Sequence, residues 1–482
     1  MCDFRVASAS WASDYEYAPT APMSKKVLFI YLSEPTAGYL VASRRDYEFK
    51  RLPQLGFQYL AAYLRTLGVE SEILDQTYHR FHFDGLLRRV REGRWYFVGF
   101  YSASFLNGKV MSYVRRLKEA GVTVPIVVGG PAFPNAEAFH RAGADIVCWG
   151  EGERTVAELI EYLDGKRSLR EVKGISYLAN GEVEVNERRE LIEDLDSLPV
   201  PCRDLVPISA YHDWHFFTMR KPFTTIMASR GCPMRCAFCS SHRIWGGRLR
   251  LRSVDGVLAE IAVLVNKYHI RYLGFKDDIF GFDDLWLEEF CEKLAARRFR
   301  LRWMCIVHPL GFRKEPERRL SLLRKAGCDM LTFGLQSAVP DILRRIHRSP
   351  DEPRVLETVV PLARTMGFSV CVEFILGLPG ETTETIRQTI DYAVRLRPNY
   401  AQFFSLAILE GSELAEQYRD EPVCGLSQAE IERWCSHALR RFYLAPRTIG
   451  RNLLYVLRHN PAWLVVAVQH SYYLLDAIGL RK

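Results

Sequence analysis

The sequence predicts an α/β protein in two units: a doubly wound parallel sheet, then a partial (β/α)6 barrel that ends in a helical tail. Three observations predict it. Short apolar runs alternate with helical stretches from Lys26 to Leu163, the same rhythm restarts at Phe223, and Pro199, Pro201 and Pro207 separate the two. That alternation joins parallel strands by helices. At 482 residues the chain also exceeds the length at which one hydrophobic core stops growing.

The first strand is the run Val27-Leu28-Phe29-Ile30-Tyr31-Leu32. Helical periodicity then covers 56–67 and stops at Gly68, and 72–75 and 95–101 make the second and third strands. A helix is expected over 109–120, a fourth strand over 126–128 running into Gly129-Gly130-Pro131, and a fifth over 144–148. The fifth ends at Gly150-Glu151-Gly152-Glu153, before a helix over 155–163. Ligands of doubly wound sheets sit outside the carboxyl ends of the strands. A nucleotide-like ligand is therefore expected over 33–38, Ser102 to Ser104, Gly129-Gly130 and Gly150-Glu151-Gly152, although any one glycine pair, read alone, is only a turn.

This first unit spans 26–170. A linker follows over 171–222, with a hairpin turned at Asn180-Gly181. From 223 to 440, strands are expected over 224–228, 272–275, 301–306, 330–334, 369–376 and 400–406. Six units are fewer than a full barrel needs, so an open one is expected. Residues 441–482 read as a helical, apolar and basic tail, and 1–25 as a disordered leader, with Met23 an alternative start.

Hydrophobic residues make up 48% of the chain and charged ones 25%, the balance of a soluble folded protein. The net charge of +8 is spread over segments that also carry Asp and Glu, which argues against a nucleic-acid partner. It admits an anionic small substrate or a phosphate-bearing cofactor. No apolar run approaches the ~20 residues of a membrane span; the longest candidate is 463–468. Amphipathic tail helices could touch a membrane, but a cap over the barrel is the favoured reading. Twelve cysteines without a secretory signal point to a reducing, cytoplasmic setting, and three of them crowd into one short loop.

That loop, Ser229-Arg230-Gly231-Cys232-Pro233-Met234-Arg235-Cys236-Ala237-Phe238-Cys239, follows the first strand of the second unit. Three thiolates can hold three irons of a cube and leave the fourth iron open for chemistry. His242 would complete a three-Cys, one-His zinc set, and a zinc-bearing interaction protein is the reading from another class. The C-x3-C-x2-C spacing favours iron and sulfur and leaves zinc open. Cys291, Cys305, Cys328 and Cys371 fall in helical or strand patterns and read as small buried hydrophobes.

With Phe238 before its last cysteine, the loop resembles the signature of the radical S-adenosylmethionine (SAM) superfamily. Phe275-Lys276-Asp277-Asp278, Phe333-Gly334-Leu335-Gln336-Ser337 and Gly377-Leu378-Pro379-Gly380-Glu381 resemble its later strand ends, in order. The resemblance implies that Cys232, Cys236 and Cys239 ligate a 4Fe-4S cluster and that the Phe238 backbone meets the SAM adenine. It also implies that Asp277 and Asp278 lie near the SAM amino group, Gln336 and Ser337 face its ribose or methionyl part, and Gly377 lets the backbone approach the adenine. Many relatives carry Glu at the position of Gln336. The first unit, through 53–64 with Gly68 and Asp75, Gly129-Gly130-Pro131 and Gly150-Glu151-Gly152-Glu153, resembles the cobalamin-binding domain fused to one radical SAM class. It lacks the Asp-x-His-x-x-Gly stretch that supplies a histidine to cobalt in some cobalamin proteins.

The implied activity is reductive cleavage of SAM to a 5′-deoxyadenosyl radical, with cobalamin-assisted C-methylation of an unactivated carbon in a secondary-metabolite or lipid-like substrate, a small and hydrophobic class. The family's alternative is cyclisation or rearrangement, as in the anaerobic Mg-protoporphyrin ester cyclase and the hopanoid side-chain enzymes, whose C-terminal segment 440–447 resembles. An external electron donor such as flavodoxin or ferredoxin is implied too. An RNA methylthiotransferase would need a further cysteine set, and only Cys2, Cys148 and Cys202 precede the loop.

Overall fold

The computed structural model describes residues 26–33, 50–131, 135–213, 222–418 and 422–450. In β1 (Lys26–Tyr31), Val27 and Phe29 enter one core, and Leu28 and Ile30 another. A strand that is apolar on both faces belongs in a sheet covered by helices on each side. Accordingly β1 lies between β2 (Ser71–Asp75) and β3 (Trp95–Tyr101), with β4 (Ile126–Gly129) and β5 (Ile146–Cys148) beyond, all parallel in the order β2-β1-β3-β4-β5. Helices Phe83–Glu92 and Asn107–Glu119 cover the Leu28 face. Helices Leu55–Thr66 and Glu153–Leu163 cover the Phe29 face. Strand order reverses between β1 and β3, which opens a crevice at their carboxyl ends.

The hairpin expected in the linker belongs to this sheet instead. β6 (Ile175–Ala179) and β7 (Glu182–Val185) extend it antiparallel from β5 to seven strands. Asn180 and Gly181 both take positive φ (53° and 86°), as a tight two-residue turn requires. Ile175 and Tyr177 join the Phe29 core, so burial of apolar surface, which the turn signal cannot show, recruits the hairpin.

The second sheet holds β8 (Phe223–Ile226), β9 (Tyr272–Phe275), β10 (Arg302–Val307), β11 (Cys328–Gln336), β12 (Ser369–Leu376) and β13 (Tyr400–Ser405), parallel and in sequence order. Along β10, Trp303, Cys305 and Val307 are buried in the core shared with the helices. Arg302, Met304 and Ile306 are less buried and face the other way. β8 and β13 do not pair, so the barrel is open. Cys291, Cys305, Cys328 and Cys371 are all buried, as small hydrophobes would be.

Helix Gln428–Tyr443 crosses the expected boundary at 440 and packs Ala438, Leu439 and Phe442 into the barrel core. The leader and residues 451–482, including the apolar run 463–468, lie outside the described residues. Among those described, no helix is long and apolar enough to cross a membrane.

Candidate cofactor cleft

The cysteine loop leaves β8 through a short antiparallel pair, Ser229–Arg230 against Arg250–Leu251. Asp277, just past the end of β9, clamps this exit. Its carboxylate accepts from the Ala228 N–H at 3.1 and 3.3 Å and from Ser229 Oγ at 2.5 Å, and it is 3% exposed. The next residue, Gly231, has φ +89°, and a Cβ there would lie 2.1 Å from the Arg248 carbonyl oxygen. Only glycine fits this turn.

Beyond it the loop is pinned through its backbone. Ala237 N–H donates to the Ile346 carbonyl at 3.2 Å, and Ala237 O accepts from Leu414 N–H at 3.0 Å. The Phe238 ring packs with Ile342, Leu343, Ile346 and Leu378. Cys236 is buried while Cys232 and Cys239 are half-buried. Burial, then the neighbouring thiols and Asp278, pushes Cys232 up to about 11, opposed by the Met234 N–H. Burial likewise raises Cys239, while the Ser241 N–H, 3.4 Å from its sulfur, favours the thiolate. Three mutually coupled thiols with N–H groups aimed at sulfur suit a soft metal that displaces their protons. Three soft thiolates on one loop are a donor set that fits an iron-sulfur cluster.

The other residues expected to meet SAM divide into two groups. Asp278 is exposed, and partial burial raises its pKa. It lies beside Ser241 and the Gly231 N–H and acts electrostatically on Cys232 and Cys239. Gln336 ends β11 at φ +73°, its amide lying over Gly334, where a Cβ would come within 2.5 Å of Nε2. Asp277 and Ser337 face elsewhere. Asp277 braces the loop exit, and Ser337 is fully buried, its Oγ 3.3 Å from Thr389 Oγ1 and accepting from Val339 N–H at 3.2 Å. Both polar groups are satisfied inside the protein.

Gly377 has φ +92°, and its N–H donates to Glu381 Oε2 at 2.6 Å, as Leu378 N–H does at 3.0 Å. Glu381 Oε1 is buried without a partner. Burial outweighs the two N–H bonds and lifts this carboxyl from 4.5 to about 7. Between those values the folded chain holds a proton that the unfolded chain has released, so stability falls as pH rises through the window. Glu381→Gln keeps an oxygen for both N–H groups and is expected to flatten part of that fall. Urea unfolding of both proteins at pH 5 and pH 8 should show the variant gaining relative stability at pH 8. Asp277, also raised to about 7 by burial, supplies a second share of the slope.

Across the crevice of the first sheet, Ser104 is exposed and Phe105 is 58% exposed, whereas Ser102 is buried, its Oγ donating to Asn107 Oδ1 at 2.7 Å. Gly130 (φ +93°) packs so tightly that a Cβ would lie 2.5 Å from Ser102 O, and Gly150 (φ +81°) faces open space. The rings of Tyr31 and Tyr101, 5.9 Å apart, stand at the ends of β1 and β3. Open glycine backbone and an exposed aromatic at a topological switch suit a flat, large cofactor such as a corrin. His140 has no free nitrogen to offer it, being bonded to Ala144 O and Ser176 Oγ.

Glu151, expected at the cofactor, joins the two units. It is 4% exposed and accepts from Arg230 Nη1 at 2.6 Å, Arg250 Nη1 at 2.9 Å and Ile192 N–H at 2.6 Å. Arg230 Nη2 also donates to Glu153 Oε1 at 2.5 Å, and its guanidinium sits over the rings of Tyr59 and Trp245. Nearby, fully buried Glu260 binds Arg203 at 2.7 Å and Arg252 at 2.6 Å, and Arg203 reaches Gln58 of the first unit at 3.2 Å. Sequence reading missed these contacts, because nothing local to Arg230 marks partners about eighty positions away. The one available signal was an arginine abutting Gly231-Cys232 and acids abutting Gly150-Gly152.

Comparison with known proteins agrees with this architecture. Residues 226–393 match the Radical SAM superfamily and residues 50–160 the B12 binding domain. An uncharacterized methyltransferase of Pyrococcus horikoshii, PH0819, is 29% identical over 83% of this chain and 90% of its own length. The anaerobic magnesium-protoporphyrin IX monomethyl ester cyclase of Rubrivivax gelatinosus is 25% identical over 82% of this chain and 70% of its own. The radical SAM methyltransferase TsrM of Kitasatospora setae, solved with cobalamin and a [4Fe-4S] cluster, superposes with a TM-score of 0.65, at 21% identity over 82% of this chain and 75% of that one, a likeness of fold. The chain belongs to the radical SAM enzymes that carry a cobalamin-binding domain, and its cofactors are a 4Fe-4S cluster, SAM and cobalamin.

Proposed function

We propose that this enzyme C-methylates an unactivated carbon of a small molecule. The observation that carries the reading is the buried lock of Arg230 and Arg250 on Glu151 and Glu153. It ties the root of the cysteine loop to the loop that ends β5, so the cluster side and the corrin side are held in fixed relation. A methyl group and a substrate radical must meet within reach of each other, and a rigid joint supports that. When bound, the cofactors supply a SAM-derived radical and a methyl group.

The chain's own share is binding, orientation and exclusion of water. Cys232, Cys236 and Cys239 hold the cluster. Asp278, Gln336, Gly377 and the Phe238 backbone meet SAM, and Ser104 with the glycines at 129, 130, 150 and 152 receives the corrin. An external flavodoxin or ferredoxin supplies electrons, and the protein works in the cytoplasm.

Two measurements test this. Replacing all three loop cysteines by alanine should abolish iron binding, about four irons per chain in the parent, and end reductive SAM cleavage; retained cleavage would refute the cluster assignment. With SAM labelled in its methyl group, the label should enter product, and S-adenosylhomocysteine should form alongside 5′-deoxyadenosine. Formation of 5′-deoxyadenosine alone would redirect the reading to ring closure, the activity named for the Rubrivivax gelatinosus relative.

A further inference from the structure

A buried arginine stands against the cysteine loop. Arg348, just past helix Pro340–Arg345, is 8% exposed. Its Nη1 lies 3.9 Å from Cys236 Sγ, its Nη2 donates to Gly334 O at 2.5 Å, and its Nε donates to Glu352 Oε2 at 3.0 Å. Glu352 is fully buried and accepts from Ser349 N–H at 3.1 Å through its other oxygen. Burying such a pair is expensive, and each partner keeps its place only because the rest of its hydrogen bonds are satisfied. The Gly334 carbonyl and the Glu352 carboxylate hold two corners of the guanidinium, which leaves Nη1 turned to the sulfur.

The three thiols are not treated alike. Cys232 and Cys239 receive backbone N–H groups from Met234 and Ser241, whereas Cys236 faces a side-chain cation. His308, on the far side of Glu352 with Nε2 3.8 Å from Oε1, is driven down to about 3 by burial and by Arg348 itself, so it adds no positive charge. A guanidinium keeps its charge at every working pH.

We infer that Arg348 is a positioning residue that donates to the Cys236 thiolate and raises the reduction potential of the cluster. Reduction adds one negative charge to the cube. A fixed cation and a hydrogen bond at one of its sulfurs stabilise the reduced form more than the oxidised form, and such contacts are among the levers that set iron-sulfur potentials. Burial keeps solvent from screening the effect. Glu352 sits on the opposite side of the guanidinium from the sulfur, so its charge offsets that effect only in part.

The inference rests on the cluster assignment, and the test separates the two. Full-length protein is reconstituted anaerobically without SAM, its iron is counted, and the cluster is titrated by electron paramagnetic resonance against reductant potential. Arg348→Met should keep its iron and be at least tenfold harder to reduce, which for one electron is 59 mV more negative. Arg348→Lys, retaining charge on a shorter reach, should recover part of the shift. If Arg348→Met loses iron, Arg348→Gln is read in its place, with a shift in the same direction. An iron-loaded neutral variant whose potential matches the parent overturns the inference, even if SAM affinity falls, because the arginine would then serve SAM alone. A parent that holds no iron removes the cluster assignment itself.

Discussion

Arg230→Met is expected to destabilise the apoprotein by about 3–5 kcal/mol, the usual loss when one partner of a buried ion pair is removed. The change leaves Glu153 buried without its cation and Glu151 with Arg250 alone, and it also removes the guanidinium from between Tyr59 and Trp245. Thermal unfolding followed by circular dichroism should show the loss directly. Because the joint holds the root of the cysteine loop to the end of β5, cobalamin retained after gel filtration should fall as well. Unchanged unfolding would mean that solvent reaches this network, contrary to the 4% exposure of Arg230.

Gly231→Ala should remove nearly all iron from reconstituted protein while the far-ultraviolet spectrum stays close to that of the parent. A Cβ placed 2.1 Å from a backbone oxygen cannot be accommodated by rotating a side chain, so the chain must move just before the first cysteine. The positive φ adds its own penalty of about 1–2 kcal/mol. Gly150→Ala is the control: φ is +81° there, yet nothing lies within 4 Å of the added carbon. That variant should show the conformational penalty alone and keep its iron. Iron bound normally by Gly231→Ala would show that the turn can relax, and that the loop is less constrained than its packing against Arg248 indicates.

The two variants also mark what could and could not be read in advance. Local chemistry was legible. The apolar run at Val27, the cysteines at 232, 236 and 239 and the glycine at 377 carry their meaning in types and spacings a few residues apart. The six parallel strands of the barrel follow from the same short-range rhythm. Less was legible wherever a side chain had two plausible partners. Asp277 and Asp278 are neighbours of the same type, yet one is satisfied by Ala228 and Ser229 and the other opens to the cleft.

By itself the sequence determined the order of the elements, because hydrophobic period acts over one or two turns of chain, and its motifs carried the resemblance that implies the cofactor class. The tertiary structure alone decided that the 175–185 hairpin completes the first sheet, that Glu151 joins the units, that Ser337 faces inward and that Arg348 meets Cys236. Each of those outcomes depends on which distant group is present to satisfy a buried charge or cover an apolar face, and that choice is made by packing.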